Sequence, residues 1–172
     1  DDARPGFLEL DLVAHCGETA SGDYLSTLDT VDVATCWSEC IVPANRGQQA
    51  VCKALEELQE RLPFPLLGLD SDNDASFING HLFRYCQEKQ LTFTRSRPYK
   101  KNDQAHVEQK NWSIVRQLVA YDRYEKEAVG PLNALYRQHG LYTNFFQPVL
   151  AEAAPVSGKL QEKVRVDGKV KK

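Results

Sequence analysis

Apolar and polar positions alternate along this chain in two different rhythms, one of strands and one of helices. Phe7 to Ala14, FLELDLVA, is almost continuously apolar, the pattern of a strand covered on both faces, with acids interrupting it. Strand side chains alternate, so Leu8, Leu10, Leu12 and Ala14 share one face while Phe7, Glu9, Asp11 and Val13 share the other. Asp is depleted in strands and rarely buried unpaired, so Asp11, between Leu10 and Leu12, calls for a cation or a hydrogen-bonding partner. Gly17 and Gly22 bracket a turn. Residues 24–30 and 35–42 read as two further strands with Asp32 in the connection, and three strands in succession predict an antiparallel meander.

Asn45 then reads as a helix cap with Gln48 three residues on, and Ala50, Val51, Ala54, Leu55 and Leu58 form an apolar stripe that stops before Pro63. Pro63 and Pro65 break the chain ahead of a short strand at 66–69, which after a helical crossover predicts parallel pairing with an earlier strand. Residues 77–89 are helical in pattern, with Ile78, Leu82, Tyr85 and Cys86 inward, and 91–94 form a short strand. A last helix is expected over about 125–139, with Leu132, Leu135 and Tyr136 on one side. Pro131 suggests a kink or late start there, and Gly140 a C-terminal stop. The aromatic-rich stretch 142–150 docks back on the domain, and beyond Ala151 the composition turns polar and basic. The expected organisation is a core over residues 1–150 and a basic tail or linker over 151–172.

Between the short strand and the last helix lies RSRPYKKNDQAHVEQKNWSIVR, residues 95–116, a basic, proline-broken loop running into an amphipathic helix. On a wheel of about 100° per residue, Val107, Trp112, Ile114, Val115, Leu118 and Val119 fall in one broad arc. Glu108 falls inside it. A carboxylate on the core-facing side is costly unless something cationic meets it. Glu108 is either a dipole-compensating acid of the first turn, with Asn102 or Asp103 as cap, or a metal ligand with partners elsewhere.

At 172 residues with 42% hydrophobic side chains, the chain has the size of one domain with a real core. No apolar run approaches the roughly 20 residues of a membrane span, so no membrane partner is expected. The chain opens on Asp1 and contains no Met, which suggests part of a longer protein. The five cysteines lack the paired short spacings of a zinc site and read as free thiols of a reducing compartment. A net charge of −3 argues against a nucleic-acid partner until its distribution is considered. Residues 1–94 carry −10 and 117–156 carry −1, whereas 95–116 and 157–172 carry +4 each. An anion could therefore be met locally, and Arg95, Arg97, Lys100 and Lys101 in the loop, with Lys110 and Arg116 on the helix, are the candidate phosphate contacts.

Asp70, Asp72 and Asp74 alternate as in a calcium loop, but Ala75 stands where the sharp turn needs Gly and His81 where a bidentate Glu belongs. The alternative is that one of these acids joins Asp11 and Glu108. In that order, strand-borne Asp11, then Ser71-Asp72-Asn73, then Glu108 opening a helix, the chain resembles the DDE catalytic cores of transposases and retroviral-type integrases. Thirty-five residues separate Asp72 from Glu108, the spacing of that group. Thr35 and Trp37, Phe77-Ile78-Asn79, and Ser96-Arg97-Pro98-Tyr99 with Asn102-Asp103 also match, over most of residues 7–148, and resemble bacterial insertion-sequence integrases most.

The resemblance implies an α/β, RNase H-like fold, with a mixed five-stranded sheet flanked by helices on both sides. It implies that Asp11, Asp72 and Glu108 are catalytic and hold two Mg²⁺ or Mn²⁺ ions, Asp11 bridging them. It further implies phosphoryl transfer on double-stranded DNA, at element ends and target, by a homodimer or higher oligomer acting in the bacterial cytoplasm. Where the family has Gly and then an acid just before Phe, this chain has Asp74 and Ser76. That departure supports a second reading, an impaired remnant that serves as a DNA-binding or dimerisation module.

Overall fold

The structure, a computed structural model, describes residues 4–71, 80–95 and 105–148. Strands β1 (Phe7–Ala14), β2 (Ser26–Asp32) and β3 (Ser38–Ile41) form the expected antiparallel meander. Helix α1 (Gln48–Gln59) crosses over to β4 (Gly68–Ser71), which pairs parallel to β1, and α2 (Gly80–Glu88) crosses to β5 (Thr92–Arg95), parallel to β4. The mixed sheet has the order β3-β2-β1-β4-β5, which puts β1, the strand of Asp11, at its centre.

Alternation along β1 sorts the core into two layers. Leu8 and Leu10 point with Leu28 and Ile41 toward Val51, Ala54, Leu55 and Leu58 of α1 and Tyr85 and Cys86 of α2. Val13, Cys40 and Val42 point the other way, toward Ile114, Val115, Val119, Leu132 and Tyr136. Helices therefore cover both faces, as expected.

The start of β1 is fixed by close backbone approach. Gly6 adopts φ +118°, and a Cβ there would stand 2.4 Å from the Pro65 carbonyl oxygen. Its carbonyl accepts the Leu67 and Gly68 amides at 2.8 and 3.1 Å, and its amide donates to Asp32 Oδ1 at 2.7 Å. Asp32 ends β2 rather than lying in the connection. Its Oδ2 accepts the Thr35 amide and hydroxyl at 2.8 and 2.7 Å, so one buried carboxylate ties the β2–β3 turn to the head of β1.

Two helices differ from their sequence pattern. Helix α3 (Ala105–Lys110) continues into a π-helical segment (Asn111–Arg116) and a closing α-turn (Gln117–Val119). A π turn takes up one residue more than an α turn, so positions beyond it lag an ideal wheel by up to about 100°. That lag narrows the arc by drawing Val115 and Val119 toward Val107, and leaves Glu108 and Trp112, the latter 56% exposed, outside the buried face. Glu108 is a surface carboxylate and not a core-facing one. The last helix, α4 (Val129–Phe146), starts later and runs past Gly140. Pro131 lies in its first turn, where a missing amide costs no helical bond.

What carries α4 past Gly140 is its grip on β3, an edge strand. Asn133 Oδ1 accepts the Val42 amide at 2.7 Å and its Nδ2 donates to the Val42 carbonyl at 3.1 Å. Asn144, three turns on, does the same to Ser38 at 2.9 Å each way. Covering an edge with side-chain amides blocks pairing by another chain. Asn144→Ala is expected to cost about 1–2 kcal/mol in urea unfolding, and Asn133→Ala a similar amount. The double variant should also aggregate faster on light scattering, because both ends of the edge are then open.

Candidate active site

Asp11 sits half-buried at the middle of β1, on the face that α3 covers. Its Oδ1 accepts the Leu12 amide at 2.7 Å, and its Oδ2 accepts Nδ2 of Asn111, the first residue of the π segment. Two residues earlier on the same face, Glu9 is buried, and its Oε2 accepts the Val107 amide at 2.9 Å. Val107 is in the first turn of α3, where amides lack helical partners and the dipole favours an anion. Two residues along a strand rise about 6.8 Å and four along a helix about 6 Å, so 9 and 11 meet 107 and 111 in step. Glu108 lies between the two bonds, exposed.

Asp29 of β2 is the cross-strand partner of Asp11 and is completely buried. Cys40 Sγ donates to its Oδ1 at 3.2 Å; its Oδ2, like Oδ1 of Asn111, has no hydrogen-bond partner among the described residues. Burial above all pushes the Asp29 carboxyl up to about 8, with the Asp11 charge adding to it, against the Cys40 and Thr30 donors and the Lys110 ammonium. Glu9 is also raised by burial, offset in part by the amides of Val107 and His106 and by the His106 charge. On the neighbouring strand, Asp70 Oδ1 accepts the Thr94 hydroxyl at 2.5 Å.

Of the acids singled out in the sequence, the structure brings the elements of Asp11 and Glu108 side by side. Asp72 lies outside the described residues, as do Arg97, Lys100 and Lys101 and the whole of 151–172. Among the described residues no three His, Cys, Asp or Glu side chains converge as a metal cage. Strand β4 ends at Ser71, paired with Leu10, the residue before Asp11. Lys110 is half-buried, close enough for its charge to act on Asp29 and Cys40. Arg95 closes β5, exposed, with its guanidinium 5.7 Å from the Phe93 ring centre. Arg116 turns inward. It donates to the Ala14 carbonyl at 3.1 Å and lies 4.4 Å from the Tyr121 ring centre. Burial, helped by the Arg116 charge, holds nearby His15 down to about 4, and its Nε2 is bonded at 2.7 Å to Thr27 Oγ1, itself 2.9 Å from the Tyr136 hydroxyl.

Glu9, Asp29 and Asn111 are functional candidates that the sequence did not single out. The signal for Asp29 was the one used for Asp11, an acid inside a strand. Glu9 shares the Asp11 face by alternation. Asn111 lies four residues from Val107 and so on its helical face, but its bond to Asp11 spans 100 residues and leaves no local signal.

The folded protein keeps the Asp29 proton through a range in which the unfolded chain, with an ordinary Asp near 3.8, has lost it. The carboxyl of Asp29 therefore takes stability away as pH rises from about 4 to about 8. Asp29→Asn removes this loss: its melting temperature should match wild type near pH 3.5 and exceed it by about 5 °C or more near pH 9. Equal displacement at both pH values would mean that Asp29 is ionised throughout.

No protein-family model matches the chain. An uncharacterised protein of Sinorhizobium fredii, y4rM, is 44% identical over 173 residues, covering 100% of this chain and 47% of that protein. The chain thus spans about half the length of that relative. Two solved structures share the fold. The catalytic core domain of BIV integrase matches with TM-score 0.63 at 18% identity, over 84% of this chain and 87% of that one. The simian T-cell lymphotropic virus intasome matches with TM-score 0.64 at 15% identity, over 95% of this chain and 60% of that one. The mixed five-stranded sheet with its flanking helices is that of an RNase H-like fold, as found in integrase catalytic cores.

Proposed function

We propose that the chain is the catalytic core of a DNA transposase or integrase, which cleaves DNA at element ends and joins the 3′ ends to a target. The observation that carries this reading is the pairing of β1 with α3, residue by residue around Glu108, on a fold shared with integrase cores. Asp72 follows in sequence on β4, whose last residue, Ser71, pairs with Leu10, the neighbour of Asp11.

Oxygen ligands suit hard divalent ions, and the groups at hand are of that kind: the Asp11 carboxylate and the unpartnered Oδ1 of Asn111. Asp11, Asp72 and Glu108 would hold two Mg²⁺ or Mn²⁺ ions. Such a pair, when bound, activates the attacking oxygen and stabilises the leaving oxygen of an in-line phosphoryl displacement. Asn111 orients the Asp11 carboxylate, and the buried side chains behind it exclude water from its inner side. Arg95 and Lys110, with Arg97, Lys100 and Lys101, contact backbone phosphates; these contacts position duplex DNA without reading sequence. Arg116 is engaged with Ala14 and contributes through its remaining N–H groups. Water as nucleophile gives cleavage, and a DNA 3′-hydroxyl gives strand transfer. Two DNA ends have to be handled together, which calls for a dimer or higher assembly.

Asp74 and Ser76 favour a second reading, in which the chain has lost catalysis and serves to bind DNA or dimerise. Cleavage and joining of labelled duplex oligonucleotides with Mn²⁺ separate the two. On the first reading Asp11→Asn, Asp72→Asn and Glu108→Gln each abolish both reactions; activity persisting in all three contradicts it. A wild-type protein that is inert with every divalent ion, beside an active Asp74→Gly, Ser76→Glu double variant, would establish the second.

A further inference from the structure

We infer that Glu9 is a positioning residue of the proposed metal site, a buried carboxylate on β1 that seats the helix carrying Glu108 against the strand carrying Asp11. The inference rests on the catalytic reading above and adds a residue to it. Glu9 is nearly inaccessible, at 5% exposure, and sits two residues from Asp11 on the same face of the central strand. Burying a carboxylate there is costly, and an apolar side chain would fill the space at lower cost. Its oxygens have a defined task. Oε2 accepts the Val107 amide at 2.9 Å, and the His106 amide also lies in hydrogen-bonding relation to the carboxylate.

These amides belong to the first turn of α3, and Glu108 is the next residue along. The rest of α3 is held at Asn111, through Asp11. Val107 is buried at this turn, but apolar packing is not directional, and with only the Asn111 bond the turn, with exposed Glu108 on it, could shift about that point. The bond from Glu9 removes that freedom. It fixes the helix at 107 as Asp11 fixes it at 111, so Glu108 is held between two attachments that both originate on β1. The His106 charge, on the same turn, favours the Glu9 carboxylate, while the Asp70 charge on β4 disfavours it. Glu9 touches neither substrate nor ion in this account. It acts through Glu108.

The test uses the full chain in three variants. Glu9→Gln keeps a carbonyl oxygen as acceptor, Glu9→Leu keeps the volume and removes the acceptor, and Glu9→Asp keeps the charge but is one methylene short of the helix. Amide hydrogen exchange reads the seating directly, and Mn²⁺ titration followed by calorimetry reads its consequence. The His106 and Val107 amides should lose protection in Glu9→Leu and in Glu9→Asp and keep it in Glu9→Gln. Mn²⁺ affinity should fall about 10-fold or more in the first two, as for other residues that orient metal ligands, and stay near wild type in Glu9→Gln. Glu9→Asp carries the test if Glu9→Leu does not fold. Unchanged protection in both Glu9→Leu and Glu9→Asp overturns the inference whatever the metal does. Lost protection with wild-type Mn²⁺ affinity also overturns it, because the seating then has no bearing on the site. A wild-type chain that binds no Mn²⁺ overturns the catalytic reading itself and the positioning role with it, and Asp11→Asn, run alongside, identifies that case.

Discussion

A carboxylate cannot be buried without a donor, and β1 carries two on the face that a helix must cover. Everything near the candidate site follows from how Glu9 and Asp11 are satisfied. Neither finds its helix partner on its own strand or hairpin; Glu9 takes an amide from the first turn of α3, and Asp11 an amide from the side chain of Asn111. The sheet supplies the rigid side of this arrangement. β1 is central, its head held by Gly6 and Asp32, so the strand that carries the acids is fixed on both sides within the sheet. The helix supplies the rest through one local irregularity. A π turn starting at Asn111 lets the same helix present Val107 and Asn111 to β1 while still burying Ile114, Val115 and Val119. On a uniform α-helix the same residues would span a broader arc that takes in Glu108; the π turn narrows it, and π turns recur at functional sites.

The same face shows what acid burial costs. Among the described residues Asp29 has no cationic partner in hydrogen-bonding contact, and it keeps its proton to about pH 8, whereas half-buried Asp11 beside it has two donors. Two acids opposite one another in an antiparallel ladder are unfavourable if both are charged. Protonation of the inner one removes the conflict. Further along the face, His15, Thr27 and Tyr136 solve the problem with neutral groups in a hydrogen-bonded chain. Farther still, the amides of Asn133 and Asn144 close the sheet edge. The layer under α3 and α4 thus adds polar side chains bonded across elements to its apolar core, whereas the layer under α1 rests on apolar packing.

Much of the architecture was legible in the residues. The alternation in FLELDLVA placed β1 with its correct ends, and the order of strands and helices implied the meander and the parallel crossovers. Asp11 stood out because an acid inside an apolar strand needs a reason. Glu108 stood out for a reason that the structure removes: a regular wheel turned it toward the core, and the π turn turns it out. Gly140 looked like a stop because local signals end a helix there, but bonds from Asn144 to a strand more than a hundred residues earlier continue it. The part played by Glu9 was hidden for the same cause. Its partner is 98 residues away, and no local pattern records a pairing of that kind.

The central claim is that Asp11, Asp72 and Glu108 form one metal site. A crystal of the protein soaked in Mn²⁺, with anomalous scattering used to locate the ions, addresses it most directly. The account predicts manganese peaks in coordination distance, about 2.0–2.3 Å, of the Asp11, Asp72 and Glu108 carboxylates together. Manganese bound elsewhere, or an Asp72 carboxylate that stays out of reach of an ion held by Asp11, would contradict it.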